Sequence, residues 1–402
     1  MEDPAAAGLA AVLTPAGRAL LDGLPPYDEA VALGLGERLR AEGHDPALVA
    51  AALTQSRLRA RAVAKLGGRA RTMLLTATGL EQATRREVAE RHAGRFVAAG
   101  AGRVADLGCG VGGDAVVVAD RGLGVLAVDR DPSTAAVAAA NLAPYPAAEV
   151  RCEDVVATDL AGVDAVWLDP ARRDAAGRRV LDPRRASPPL SFAEALAAAR
   201  PVGVKTAPGI DHDVVPAGWE CQWTSVGGDV VEAALWSDAL ARPGVRRSAV
   251  VLPAGGGEGV VVDDADDPYA DGEPPVGPVG THLYEPDGAV VRAGLVGAVV
   301  AATGGRLVDP TIAYVTADAE LDLPTAAGYV VDEVLPFSLK GLRQRLRERG
   351  VGRLVVKKRG TAVEPEELRR RLRLEGPHEA VVVLTRVAGR QSVLVCRALR
   401  TP

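Results

Sequence analysis

The chain has 402 residues, 48% hydrophobic and 25% charged, with a net charge of −5 at pH 7. That length supports two or three cores, and the slight acidity excludes a general electrostatic attraction to nucleic acid. Four scattered cysteines, Cys109, Cys152, Cys221 and Cys396, argue against a Cys-x-x-Cys metal or redox site and for a reducing compartment. No catalytic metal is suggested. No run of 18 apolar residues and no charged start followed by an apolar core occur, so a soluble, cytoplasmic protein without membrane attachment is expected.

Residues 1–98 read as helical. Thr14 is placed to cap a helix carrying Leu20 and Leu21, and Pro25-Pro26 breaks it. Asp28 starts a second segment, and Asp45-Pro46 has the N-cap plus proline pattern of a third, running through Val49, Leu53 and Leu58. From Arg57 to Arg95 ten basic residues face three acidic ones. This is either a solvated helix face or a phosphate-contacting surface. Within it, Thr78, Glu81, Gln82 and Thr84 form a polar cluster, read either as a loop with helix caps or as part of a cover over a ligand.

The stretch Val104-Ala-Asp-Leu-Gly-Cys-Gly-Val-Gly-Gly-Asp114 organises the middle of the chain. Val104–Leu107 is a short buried strand. Gly108, Gly110 and Gly112 arrive in alternation, and an apolar helix begins by Ala115. Strand, glycine turn and helix let a backbone approach a nucleotide closely, with helix N–H groups aimed at it. A second strand, Gly124–Val128, ends in Asp129, an acid suited to ribose hydroxyls. Gly108, Gly110 and Gly113 also satisfy G-x-G-x-x-G, which fits a dinucleotide, and a glycine-rich turn that only packs helix on strand is the third reading. Asp106 argues against the dinucleotide, because an acid there would face a pyrophosphate unfavourably and an ammonium favourably. Asp-x-Gly-x-Gly-x-Gly resembles motif I of the class I S-adenosylmethionine (SAM) methyltransferases. The resemblance implies SAM as cofactor, held by Asp106, Gly108, Gly110, Gly112, Asp114 and Asp129. After a third strand, Glu149–Arg151, it implies Asp154 at the adenine, with Glu153 as the neighbouring choice.

A fourth strand, Val163–Leu168, ends in Asp169-Pro170-Ala171-Arg172. In open α/β sheets ligands sit beyond the carboxyl ends of the strands. Asp-Pro-Ala-Arg resembles the (Asn/Asp)-Pro-Pro-(aromatic) motif of amino methyltransferases acting on nucleic acid bases, and the Asp-Pro-Pro-Arg form of several RNA methyltransferases. Ala171 replaces the second proline and Arg172 the stacking aromatic. The resemblance implies that Asp169 contacts SAM and holds the nucleophile, supported by Pro170 and Arg172. A fifth strand, 201–206, puts Lys205 on the same rim, as a phosphate ligand or an ordinary rim charge. Trp219–Val226, Gly227-Gly228 and Asp229–Trp236 form a hairpin, as the sixth and seventh strands of methyltransferase sheets do.

After Pro243 the composition shifts. Pro253–Pro278 reads as a hairpin and loose connection containing an apolar strand, Gly259–Val262. Leu283 opens an expected helix reaching about Ala302. Strands are expected at Ile312–Val315, Tyr329–Val334, Leu354–Arg359, Glu379–Val387 and Gln391–Cys396, and helices at Ser338–Arg349 and Pro365–Leu374. Tyr284-Glu-Pro, Val291-Arg-Ala-Gly294 and Lys358-Arg-Gly360 resemble the THUMP-like domain found at the C-terminus of some SAM methyltransferases, over roughly 245–398. The resemblance implies an RNA partner, tRNA or rRNA. Between Lys340 and Arg373 thirteen basic residues face four acids, a segregation fitting a phosphate-tracking surface or two solvated helices.

The expected architecture is α/β: a Rossmann-like, seven-stranded methyltransferase sheet at 99–240, preceded by a helical region at 1–98 and followed by a smaller α/β domain at 241–402. The expected function is SAM-dependent methylation of an RNA base, preferably at an exocyclic amine. A small-molecule or protein methyltransferase, or an RNA-binding protein with a non-catalytic SAM site, are the alternatives.

Overall fold

The computed structural model of the chain describes residues 4–171 and 182–399. They fall into two compact units, one comprising Met1–Trp219 with Ala234–Arg242, the other Glu220–Ala233 with Pro243–Pro402.

The first unit begins with helices α1 (Pro4–Leu13), α2 (Pro15–Asp22), α3 (Glu29–Ala41) and α4 (Pro46–Leu66). Their starts obey the local chemistry expected of them. Thr14 Oγ1 accepts from the Gly17 N–H, Asp28 from Ala30 and Asp45 from Leu48, each satisfying an otherwise orphaned donor. Met73, Leu74 and Leu75 then cross the core fully buried. Helices α5 (Ala77–Gln82) and α6 (Arg86–Ala98) come after them.

Next comes the parallel sheet with its helices: β1 (Arg103–Leu107), α7 (Gly113–Asp120), β2 (Gly124–Asp129), α8 (Pro132–Leu142), β3 (Ala148–Cys152), β4 (Ala165–Leu168), α9 (Leu190–Ala197) and β5 (Val202–Thr206). The order is β3-β2-β1-β4-β5, all parallel. Asp106 on β1 stands in register with Ala127 on β2 and Trp167 on β4. The chain turns back between β1 and β4, so a crevice opens beyond their carboxyl ends, which is where such sheets bind ligands. Beneath it Trp167 stacks on Trp236 with centroids 5.2 Å apart, and Gly203 of β5 leaves them room. A Cβ there would lie 2.6 Å from one indole and 2.8 Å from the other.

The second unit opens with the hairpin β6 (Glu220–Val226) and β7 (Asp229–Trp236), turned by Gly227 and Gly228 at φ +60° and +88°; the last three residues of β7 belong to the first unit. Strand β8 (Arg247–Leu252) runs parallel to β6, and β9 (Val260–Asp263) antiparallel to β8. These two strands exceed the seven expected. Within 253–278 the apolar strand expected at Gly259–Val262 is present as β9, shifted by one residue, and Val262 is buried.

A separate seven-stranded sheet completes the chain, built from β10 (His282–Pro286), α10 (Gly288–Arg292), α11 (Val296–Thr303), β11 (Arg306–Asp309), β12 (Ile312–Ala317), β13 (Ala326–Pro336), α12 (Leu339–Glu348), β14 (Val351–Lys358), α13 (Pro365–Leu372), β15 (His378–Val387) and β16 (Arg390–Ala398). Its order is β11-β12-β10-β13-β16-β15-β14. The single helix expected from Leu283 to about Ala302 is instead a strand and two short helices. Leu283 and Tyr284 are buried strand residues, and Gly294, at φ +70°, separates α10 from α11. The alternation of β15 is complete. Val382 and Leu384 face a core with Leu342 and Leu346 of α12 and Leu368 and Leu372 of α13, while Val381 and Val383 face Tyr314 and Tyr329.

Candidate active site

The glycine turn after β1 is shaped by backbone that only glycine adopts freely. Gly108, Gly110 and Gly112 have φ of +87°, +56° and +80°. A Cβ on Gly108 would also lie 2.7 Å from the Asp169 carbonyl oxygen, so β1 and β4 meet the turn at closest approach there. The Gly108 and Cys109 N–H groups donate to Val128 O, tying the turn to the end of β2. Asp129 completes the tie: its Oδ2 accepts from Gly110 N at 3.0 Å and its Oδ1 from Asp131 N at 2.9 Å.

Three acids gather at the carboxyl ends of β1 and β4 and the start of α7. Asp106 is 3% exposed, and among the described residues its Oδ2 has no hydrogen-bond partner. Burial, with Asp114 and Asp169 nearby, pushes its carboxyl well above the usual range. Burial acts on Asp114 in the same direction, but the His92 ring at 3.2 Å, the Lys205 charge and the Thr84 hydroxyl at 2.6 Å hold it below the usual range. Asp169 is half-buried. Its Oδ2 accepts from Lys205 Nζ at 2.7 Å, while its Oδ1 has no partner among the described residues.

Lys205 is not the rim charge expected. It is 4% exposed, and its ammonium also donates to Thr84 Oγ1 at 3.0 Å and Gln82 O at 3.5 Å. The structure thus brings Asp106, Asp114, Asp169 and Lys205 together, with Asp129 and the three glycines on the adjoining turn. Pro170 is buried beside them. Asp154 lies past the end of β3, exposed, with Oδ1 accepting from Val156 N. Arg172 lies outside the described residues.

Sequence reasoning misses His92 and takes Thr84 only as one member of a polar cluster. His92 is 2% exposed, with Trp167 at 4.3 Å and Trp236 at 5.5 Å between ring centroids. A signal exists: His92 falls between Val88 and Phe96 on the buried stripe of α6, where a polar side chain requires partners.

Part of the basic run from Arg57 to Arg95 is taken up within the fold, while Arg57, Arg61 and Arg71 are exposed. Arg59 is buried and donates to Met73 O and Thr72 O. Lys65 donates to Leu80 O and Glu81 O. Arg69 and Arg86 pair with Glu90, and Arg95 lies over the Trp236 ring, 4.7 Å from its centroid. These five side chains brace the fold.

A parallel sheet of order 3-2-1-4-5, a glycine turn after its first strand and an acid ending its second define a class I methyltransferase domain. The comparisons with known proteins agree. An uncharacterized S-adenosylmethionine-dependent methyltransferase of Mycobacterium tuberculosis, matched in strains H37Rv and CDC 1551, is 38% identical over 357 residues, covering 85% of this chain and 95% of the relative. The chain belongs to the S-adenosylmethionine-dependent methyltransferases. Its fold is similar to that of a "putative methyltransferase from Porphyromonas gingivalis W83", with a TM-score of 0.70 at 22% identity, covering 94% of this chain and all of that one. Residues 326–398 match the family model "THUMP domain-like", a shorter span than the 245–398 expected. Residues 5–62 match a domain of unknown function, DUF8688.

The enzyme therefore uses SAM, and the residues present suit it. The unpartnered oxygen of Asp106 is a buried acceptor that a cationic group would satisfy, and the glycine turn leaves backbone bare beside it. Asp129 ends β2, a position from which an acid can reach ribose hydroxyls in such sheets. Among the described residues no cluster of three metal-ligating side chains occurs, and no helix is long and apolar enough to cross a membrane.

Proposed function

We propose that this enzyme methylates an exocyclic amine of an RNA base, with Asp169 as the group that orients the amine. Bound SAM supplies an electrophilic methyl group. The chain adds placement, which accounts for most of the gain in such reactions. Asp169 Oδ2 is fixed by Lys205, and its other oxygen is left to accept an N–H from the incoming amine. A base amine held this way presents its lone pair away from the carboxylate, and the carboxylate stabilises the positive charge that develops on nitrogen. Asp106 and Asp129 hold the cofactor's amine and ribose, and Asp154 its adenine. Pro170 stiffens the chain just after Asp169.

The observation that carries the RNA reading is the arginine-rich surface of α12 and α13 within the THUMP domain-like region. Lys340, Arg345, Arg347, Arg370, Arg371 and Arg373 are all exposed. THUMP domains are RNA-binding modules, and a cluster of exposed arginines in a chain of net negative charge suits a phosphate backbone.

Transfer of radioactive methyl from SAM to total RNA by the full-length protein tests both parts. Label is expected in RNA. Asp169→Asn, which keeps shape but removes the charge, should lower the rate on the order of 10²–10³-fold. Label found only in protein or in small molecules would overturn the RNA assignment. A fully active Asp169→Asn enzyme would overturn the role given to Asp169.

A further inference from the structure

The polar groups of the site form one chain, His92–Asp114–Thr84–Lys205–Asp169. Its middle member comes from outside the parallel sheet, at the junction of α5 and α6. An ammonium has donors only, so Thr84 Oγ1 accepts from Lys205. The single hydroxyl proton then points to Asp114, 2.6 Å away. One hydroxyl therefore serves two buried charges of opposite sign at once, and no other residue type except serine does this in the same space.

Thr84 is itself held rigidly. The segment before α5 is clamped on both sides: Gln55 exchanges two hydrogen bonds with the Leu75 backbone, Asn141 two with Leu74, and Arg59 donates to Thr72 O and Met73 O. Asn141 also donates to Val111 O in the glycine turn. Gly79 of α5 sits against Val111, where a Cβ would approach the Val111 side chain at 2.5 Å. Lys65 caps the carbonyls of Leu80 and Glu81 at the end of the same helix. The helices before the sheet thus deliver one hydroxyl into the site with its position set by buried contacts.

We propose that Thr84 is a positioning residue for methyl transfer, which holds Lys205 against Asp169 and Asp114 against the glycine turn through a single hydroxyl. This rests on the assignment of Asp169 to the reaction. Valine at this position would keep the shape and present a methyl group to both charges. Lys205 would lose one of its acceptors and Asp114 one of its donors, in a site where Asp106 already carries an unpartnered oxygen. Both side chains would then be free to reorient.

The test compares the full-length wild type, Thr84→Val, Thr84→Ser, Asp169→Asn and the Thr84→Val/Asp169→Asn double variant. Label transfer to total RNA is measured at saturating SAM, and SAM affinity by calorimetry. Thr84→Val should lower the transfer rate about tenfold or more, and Thr84→Ser should stay within about twofold of wild type. On the Asp169→Asn background, Thr84→Val should cost less than on the wild type, because part of its effect runs through the same carboxylate and only the part through Asp114 remains. A Thr84→Val enzyme that melts normally and transfers methyl at the wild-type rate would overturn the proposal, and so would a Thr84→Ser enzyme as defective as Thr84→Val. If the wild type places no label in RNA, the same pattern is expected in SAM affinity, and its reversal there overturns the proposal equally. Should Thr84→Val fail to fold, Thr84→Ala carries the same expectations. If Asp169→Asn is fully active while Thr84→Val is impaired and Thr84→Ser is not, the Asp169 assignment fails and Thr84 keeps its role through Lys205 and Asp114.

Discussion

Asp106, proposed above to hold the cofactor's amine, sits where burial disfavours its charge. Its carboxyl is buried, faces two other acids and leaves one oxygen unpartnered. An acid whose folded pKa is raised binds its proton more tightly in the fold than in the unfolded chain. Its ionisation therefore costs stability as pH rises above the usual carboxylate range towards the raised value. Asp106→Asn should raise the melting temperature of the ligand-free protein at neutral pH, by more than at pH 4, and should weaken SAM binding. If melting curves with and without SAM show the variant no more stable than wild type at neutral pH, the acid is not the strained group described here. Asp114 has the opposite sign: its pKa is depressed, so the stability it contributes is present at neutral pH and disappears as acid protonates it. Asp129 gives a separate reading, because one of its oxygens already holds the glycine turn through Gly110 N and the other the loop after β2 through Asp131 N. Asp129→Ala removes a charge-assisted acceptor, and SAM affinity by calorimetry should fall by roughly 1.5–3 kcal/mol. Unchanged affinity would refute the ribose assignment.

At the scale of elements, the parts of the fold that are legible in the sequence are those where a local pattern and the final burial coincide. β1, β2, β4 and β5 are nearly continuous apolar runs because they are covered on both faces. The caps Thr14, Asp28 and Asp45 need only their own helix to act. β10 reads as helix because Leu283-Tyr-Glu-Pro runs at once into the apolar helices α10 and α11, and a short apolar run next to a helical pattern does not reveal its period. Asp106, Asp114 and the three glycines fall in one stretch of chain, so their grouping can be read from spacing, and Asp129 and Asp169 from the ends of the apolar runs they follow. His92, Thr84 and the burial of Lys205 cannot. Their partners lie tens to more than a hundred residues away, and only the packing of α5 and α6 against the sheet joins them. Gly203 gives this packing a test. It sits where Trp167 and Trp236 stack, and a methyl group there would have to displace an indole. Gly203→Ala should destabilise by roughly 1–3 kcal/mol through overpacking, measured by urea unfolding. A change near zero would mean that the tryptophan pair yields without cost.

For the whole molecule, the relevant quantity is where the charge lies, because the net charge of −5 conceals two basic regions with different fates. Between 57 and 95, Arg59, Arg69, Arg86 and Arg95 are engaged by carbonyls, acids and an indole. In the C-terminal sheet unit part of the charge is structural as well. Arg343 and Arg347 of α12 donate to the carbonyls of Arg371 and Arg373 at the end of α13, and Arg369 donates to Leu354 O. Lys340, Arg370 and Arg373 have exposed side chains and no acidic partner among the described residues, so they are the cations available to a phosphate backbone. Exchanging these three for glutamine should leave the fold intact, since such exposed positions cost little. RNA affinity should fall at low salt. The slope of log affinity against log salt should flatten by roughly 0.7–0.9 for each phosphate that is no longer neutralised. Methyl transfer at saturating RNA should be nearly unchanged, because Asp169 and its network are untouched. Filter binding of total RNA across a salt series measures the slope directly. An unchanged slope would mean that this surface is only solvated, and the RNA assignment would lose its physical basis while SAM-dependent methyl transfer stood as before.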